Sequence, residues 1–315
     1  MKRFRAIIQP QTAFITPLYG DTLFGQCCWA LRHQHGETAL QQWLDGYTSG
    51  KPFMVVSSAF IEGYISRPTM PLGLMGFDTT SNDRKAVKGK IHLPLDVLQQ
   101  PMSTWHTQAI SNVELENKIG IENIKLEQDR THNSINRMTG TTGSEGGFAP
   151  YDRQLTWYHP SLKLAIYVVL DETRISSEQV RQALLAVGQQ GFGKEASSGL
   201  GKFDVAEFSE WTAPVAQNTT AWYTLAPCAP QGLKWQADHC YYQSFVRFGR
   251  HGDVAVHTGK PFKNPALLAQ AGAILSPITS IGDALFTGQG LGGVSKAIES
   301  TVQQGYAPVL PVSLT

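Results

Sequence analysis

An excess of charge is the first thing this sequence lacks: 26 Lys and Arg stand against 25 Asp and Glu, for a net charge of +1. That balance excludes a free-standing nucleic-acid binder with a broadly basic surface, though not a subunit with one local basic groove. Cysteine is also scarce, with Cys27, Cys28, Cys228 and Cys240 the only four in 315 residues. Cys27 and Cys28 are adjacent in a helical pattern, which is poor geometry for a structural disulfide. His239–Cys240 and Cys228 lack the second paired element of a zinc site. Buried thiols in a reducing cytosol are the simpler reading. No apolar run reaches the roughly 18 residues a membrane span needs, and the basic start MKRFRAIIQPQTAF has no signal-length apolar core. The expectation is a soluble, cytoplasmic protein with no membrane partner, no metal and no cofactor.

Glycine, by contrast, is plentiful, and residues 188–203 (GQQGFGKEASSGLGKF) concentrate it. Gly188, Gly191, Gly193, Gly199 and Gly201 flank Lys194, Lys202, Ser197 and Ser198. Glycine lets a backbone approach a phosphate closely, and successive N–H groups can form a concave anion site. Gly188, Gly193 and Lys194 stand at Walker A spacing, but Glu195 occupies the position of the hydroxyl that should hold Mg²⁺. Gly191, Gly193 and Ala196 fit a dinucleotide fingerprint as a string. Both motifs require a strand before the loop and a helix after it. Here a capping box, Ser176 and Gln179, opens a helix carrying Val180, Leu184 and Val187, with Gly188 as its expected cap. Phe203, Val205 and Phe208 then predict a strand. The loop leaves a helix and enters a strand, so nucleotide readings fail on context. A mobile surface loop is the bland alternative.

The rest of the chain predicts an α+β protein. Phe4, Ala6 and Ile8 alternate as a first strand. Asp21 is expected to cap a helix with Leu23, Phe24, Cys27, Cys28 and Leu31 on one face, and Leu40, Trp43 and Leu44 mark a second helical piece. Residues 54–56 with 60–61, and 162–170, read as strands. With the helix at 176–187 and the strand at 203–208, the order is β-α-β-β-α-β, the ferredoxin-like (RRM-like) pattern. A large insertion, near 66–160, separates its second and third strands; insertions of that length are functional or disordered. It carries Arg84, Lys85, Lys88 and Lys90 close together, which a solvated charged face would equally explain. Residues 1–210 are read as one domain and 211–315 as a second, smaller, degenerate ferredoxin-like domain. In the latter, 222–225, 241–248 and 273–275 are strand candidates and 264–271 a short helix.

Several strings agree with one family. PLYGDTLFGQCCWAL (17–31), RTHNSINRMTGTT (130–142) and GFGKEASSGLGKF (191–203) resemble the CRISPR-associated RAMP superfamily. In that superfamily they correspond to the first helix entry, the segment after a protruding hairpin, and the glycine-rich loop. GKPFKNPALLAQAGAIL (259–275) and GYAPVLPV (305–312) look like the subunit of type III-A (Csm) effector complexes that caps the guide RNA 5′ end. The resemblance implies a non-catalytic subunit that grips the repeat-derived 5′ tag of the guide RNA. It also implies that the subunit docks the large Palm-domain signalling subunit and contacts a backbone RAMP subunit. Its insertion would form a thumb that kinks the guide. Carried over, Gly191, Gly193, Lys194, Ser197, Ser198, Gly199, Gly201 and Lys202 would line the tag, with His132, Asn133, Asn136 and Arg137 nearby. The thumb is expected within 66–130, touching RNA through Arg84, Lys88 or Lys90.

The physics suits a single-stranded tag, which is held by shape, stacking and phosphate contacts. Arg137 can take a phosphate bidentately or stack on a base. The alternatives are a RAMP endoribonuclease processing the guide precursor, the 5′-cap subunit of a sister type III subtype, and a pure scaffold. An endoribonuclease needs a general acid or base; His33, His35, His132 and His251 qualify by type alone, and none is tied by sequence to a partner base.

Overall fold

In the computed structural model, which describes residues 1–78, 84–142, 149–232, 234–257 and 259–314, the chain begins with β1 (Lys2–Pro10), α1 (Gly20–His35), α2 (Glu37–Leu44) and β2 (Met54–Ile61). The insertion holds β3 (Tyr64–Ser66), α3 (Arg84–Gly89), β4 (His92–Pro94), α4 (Asn112–Ile119), β5 (Lys125–His132) and β6 (Tyr151–Tyr158). The first half closes with β7 (Leu164–Leu170), α5 (Ser177–Gln190) and β8 (Phe203–Glu210). Beyond it come β9 (Ala221–Thr224), β10 (Ser244–Arg247), β11 (Ala266–Ala269), β12 (Ile274–Leu275), β13 (Phe286–Leu291) and β14 (Gln303–Val312).

The expected alternation is realised in a four-stranded antiparallel sheet of order β2-β7-β1-β8. One face buries Phe4, Ala6, Ile8, Ile166 and Val168 against α1 (Leu23, Phe24, Cys27, Leu31) and α5 (Val180, Ala183, Leu184, Val187). Period two on the strand meets period 3.6 on the helix, and both stripes leave water together. The α5 capping box is present: the Gln179 N–H donates to the Ser176 hydroxyl and the Ser176 N–H to the Gln179 side chain. Two cap expectations are corrected. Gly188 lies inside α5, where a Cβ would sit 2.1 Å from the Phe203 carbonyl oxygen, and Gly191 is the C-cap. Asp21 does not cap α1. Its carboxylate, buried behind Tyr19, takes a two-bond ion pair from Arg247 at 2.7 and 3.0 Å.

The opposite face of the sheet, with Ile7, Phe60, Ala165 and Tyr167, is covered by a second apolar layer. Met75, Leu93, Val97, Leu98, Met102 and Trp105 of the insertion form much of it, each fully buried. Residues 66–78 and 84–119 therefore contribute a packed layer and not the expected protrusion; six large apolar side chains between Met75 and Trp105 would not tolerate water. The element that stands off the body is the β5–β6 hairpin, whose residues from Lys125 to Thr131 are all exposed.

The second half contributes an antiparallel sheet of order β12-β9-β14-β13 and a two-stranded ribbon, β10–β11. The helix expected over 264–271 is instead strand β11, with Ala266 and Leu268 buried and Leu267 exposed. Pairing with β10 overrides the helix preference of an Ala/Leu-rich string. Among the described residues no α-helix follows Gln190, and no helix is long and apolar enough to cross a membrane. All four cysteines are free. Burial pushes the Cys27 and Cys228 thiols up to about 12, so both stay protonated near neutrality.

The halves meet where β2, an edge strand, would otherwise expose its backbone. The Val56 N–H donates to Gln304 Oε1 at 2.8 Å, and Gln304 Nε2 donates back to the Val56 carbonyl at 2.7 Å. The Ser58 and Ala59 N–H groups donate to the Leu225 and Leu18 carbonyls. Gln304→Leu leaves the Val56 donor and acceptor buried without partners, at roughly 1–3 kcal/mol each. We predict a loss of at least about 2 kcal/mol in urea unfolding for this variant. Unchanged stability would mean that the side-chain bridge is dispensable.

Candidate nucleic-acid interface

The polarity read from the sequence is observed: α5 ends at Gln190, a loop follows, and β8 begins at Phe203. Inside the loop, Phe192 is fully buried and its N–H donates to the Gly201 carbonyl at 2.8 Å. The loop is tied to residues 11–16 by five bonds, one of them from the Thr12 N–H to the Lys202 carbonyl. Gly201 N–H donates to the Ala13 carbonyl, Gln11 N–H to the Lys202 carbonyl, Lys194 N–H to Thr16 Oγ1 and Lys202 N–H to Thr12 Oγ1.

The glycines divide by role. Gly191, Gly193 and Gly201 have φ of 99°, 80° and 73°. A Cβ there would meet the Leu200 carbonyl, Thr16 and the Phe192 carbonyl at 2.4, 2.5 and 2.2 Å. These three are required by the loop's own packing. Gly199, at φ 87°, faces open space. The backbone amides of Glu195, Ala196 and Ser197 donate to nothing among the described residues. Glu195 itself adopts the left-handed conformation, φ 64° and ψ 24°. The side chains of Lys194, Ser197, Ser198 and Lys202 are exposed, and among the described residues neither lysine meets a carboxylate.

The hairpin joins this loop. Phe14 and Thr156 exchange backbone hydrogen bonds at 2.9 and 2.8 Å, anchoring β6 beside residues 11–16. Arg153 Nε donates to Glu195 Oε1 at 3.2 Å, with both side chains about three-quarters buried. The Arg153 guanidinium lies 4.4 Å from the Tyr151 ring centre. Tyr151 in turn stacks on His132, with centroids 5.7 Å apart and planes 8° from parallel. A continuous chain of contacts thus runs from the glycine loop to the far part of the hairpin.

His132 closes β5, and Asn133, Asn136 and Arg137 follow it between the two strands, so residues 130–142 belong to the hairpin and do not come after it. The Asn136 side chain organises a turn, accepting from the Met138 N–H at 2.9 Å. Arg137 is exposed. The third expected group lies elsewhere. Lys88 lies in the last turn of α3 and Lys90 just beyond it, and the carbonyls of Val87, Lys88 and Lys90 accept from Arg67 at 2.9, 3.3 and 2.8 Å. Arg84 opens that helix. Lys88 and Lys90 lie on the layer formed by the insertion, with no hydrogen bond or ion pair to the hairpin or the glycine loop among the described residues.

Sequence reasoning missed Arg130, Tyr151 and Arg153, and read Glu195 only as a Walker A mismatch. The alternation in YDRQLTWY, residues 151–158, was the available signal for the hairpin residues. The Glu195 partner lies 42 positions away and left no local trace.

No family model and no curated protein matches the chain. Solved structures do. A Csm3–Csm4 subcomplex of the type III-A CRISPR-Cas interference complex superposes with a TM-score of 0.62 at 13% identity, over 99% of this chain and 100% of the other. A Csm1–Csm4 cassette in complex with pppApA gives 0.60 at 14% identity, over 99% of both chains. The same cassette with AMPPNP gives 0.60 at 15%, again over 99% of both. At such identities the common property is the fold.

The glycine positions yield a test. We predict that Gly193→Ala destabilises the protein by more than Gly199→Ala, because both pay for positive φ, about 1–2 kcal/mol, and only Gly193 also collides with Thr16. Thermal unfolding of the pair measures the difference; equal losses would show that the Thr16 contact is relaxed. Csm4 is the subunit common to the matching complexes, and the chain carries an α+β fold like that of Csm4 over 99% of its length.

Proposed function

We propose that this protein is a non-catalytic, Csm4-like RAMP subunit of a type III CRISPR effector complex that holds the 5′ tag of the guide RNA. The β2-β7-β1-β8 order with α1 and α5 on one face is read as its ferredoxin-like RAMP domain. The observation that carries the proposal is the joining of the glycine loop to the hairpin by Arg153 and Glu195. That contact joins the loop, with Lys194, Ser197, Ser198 and Lys202, to the hairpin that carries His132, Asn133, Asn136 and Arg137, and we read the two as one RNA-binding surface. Such a surface suits a single strand: cations and amides for phosphate, hydroxyls for phosphate or 2′-OH, rings for bases. The near-zero net charge fits a subunit that shares its RNA with neighbours.

A second surface supports protein partners. Val246 and Leu267 face each other across the β10–β11 ribbon, and with Phe248 and Phe262 they are 45%, 62%, 76% and 68% exposed. Large apolar side chains left exposed on and just beyond one ribbon mark a candidate association surface. We assign it to contact with the large Palm-domain subunit or the backbone RAMP subunit of the complex.

Guide capture by reconstituted complexes tests the RNA reading. Arg137→Ala is expected to weaken retention of the 5′ tag by about 1.5–3 kcal/mol, the value of a charge-assisted contact. Lys194→Gln with Lys202→Gln is expected to lower the salt slope of binding by up to roughly 0.7 per lost phosphate contact. Wild-type guide occupancy and slope in both would overturn the proposal. Phe248→Asp with Leu267→Asp is expected to abolish co-assembly while the isolated chain keeps its melting temperature; normal assembly would remove the ribbon from the interface.

A further inference from the structure

Strand register places Arg130 directly opposite Arg153 on the β5–β6 hairpin. Side chains so paired have Cβ atoms about 4.5–5.5 Å apart, and like charges there are destabilising. Arg153 is only partly compensated. Its Nε is held by Glu195, while its two Nη groups donate to nothing among the described residues. Arg130 is exposed and has no hydrogen-bond or ion-pair partner among them. The neighbouring carboxylates do not relieve the pair. Asp129 and Asp152 fall on the other face of the ribbon by alternation, and Asp152 accepts from the Thr131 hydroxyl at 2.7 Å. Arg130, Arg153 and Glu195 together carry one net positive charge, next to the unpaired amides of Glu195, Ala196 and Ser197.

We infer that Arg130 and Arg153 form a phosphate clamp that seats one phosphodiester of a single-stranded RNA against the glycine loop. Glu195 holds the Nε edge of Arg153 and leaves its Nη edge for the phosphate. Arg130 supplies the second guanidinium across the ribbon. The bound phosphate neutralises the remaining charge and turns a like-charge opposition into an alternation of signs. The clamp rests on the proposed RNA-binding function and adds to it the point at which the RNA backbone crosses the hairpin. It also accounts for the two opposed arginines, which the fold itself does not require.

The test uses the full chain and a short labelled single-stranded RNA, with anisotropy titrations at several salt concentrations. Arg130→Gln is expected to weaken binding about tenfold and to lower the salt slope by about 0.7. Arg130→Lys, which keeps the charge, is expected to restore most of the slope. Arg130→Glu is expected to separate the two effects. A carboxylate opposite Arg153 should hold or raise the melting temperature while RNA binding falls below that of Arg130→Gln. Wild-type affinity and slope in Arg130→Gln would overturn the clamp alone, as would a lowered melting temperature in Arg130→Glu. If the unaltered chain fails to bind RNA, both alone and in its reconstituted complex, the RNA-binding function falls and the clamp with it.

Discussion

An edge strand has to end against something, and in this protein one amide side chain meets that requirement together with two backbone carbonyls. Gln304 gives β2 the donor and acceptor that a fifth strand would have given it at Val56. The arrangement works because Gln304 is fully buried, so neither bond competes with water. Beyond Val56 the register of β2 shifts before Ala59: the Ser57 hydroxyl accepts from the Tyr167 N–H, and the Ser58 and Ala59 amides turn to Leu225 and Leu18. Once that edge is closed by β14 and its neighbours, the sheet's second face can only be covered by what remains, namely the insertion and the β9–β14 sheet. The two halves share a core for this reason, despite the break in pattern near residue 211.

A second tie is electrostatic. Asp21 at the start of α1 is nearly inaccessible, and Arg247 of β10 meets it with two bonds while lying 5.0 Å from the ring centres of Tyr19 and Phe245. A buried pair of this kind adds little net stability but makes the loss of either partner costly. Its effect is positional: it orients the β10–β11 ribbon relative to α1, and so fixes where the exposed Val246, Phe248 and Leu267 point.

The first half was largely legible in the sequence because its signals are local. Phe4, Ala6 and Ile8 declare β1; Ser176 and Gln179 declare the start of α5; the reversed polarity of the glycine loop follows from those neighbours. What escaped was decided at a distance. Residues 264–271 look helical until β10 supplies a partner. Trp105 and Met102 lie in a segment with no clear period, so their burial in the second apolar layer could not be anticipated. Asp21 resembled a cap because its partner is 226 residues away. The candidate site was half legible for the same reason. Its loop is one contiguous string, whereas Arg130 and Arg153 meet only through strand pairing.

The hairpin draws its order from one end. A two-stranded ribbon has no core of its own and is marginal in water. Here the buried Leu155, the Phe14–Thr156 bridge and the Arg153–Glu195 pair all act on the part of β6 nearest the body. Past Arg153, among the described residues, the ribbon keeps its own ladder, the Thr131–Asp152 hydrogen bond and the Tyr151–His132 stack. The described part of the ribbon is thus held as a cantilever is, with its ties to the body gathered at the root. An arm of that kind can follow the curvature of its ligand before it imposes any of its own.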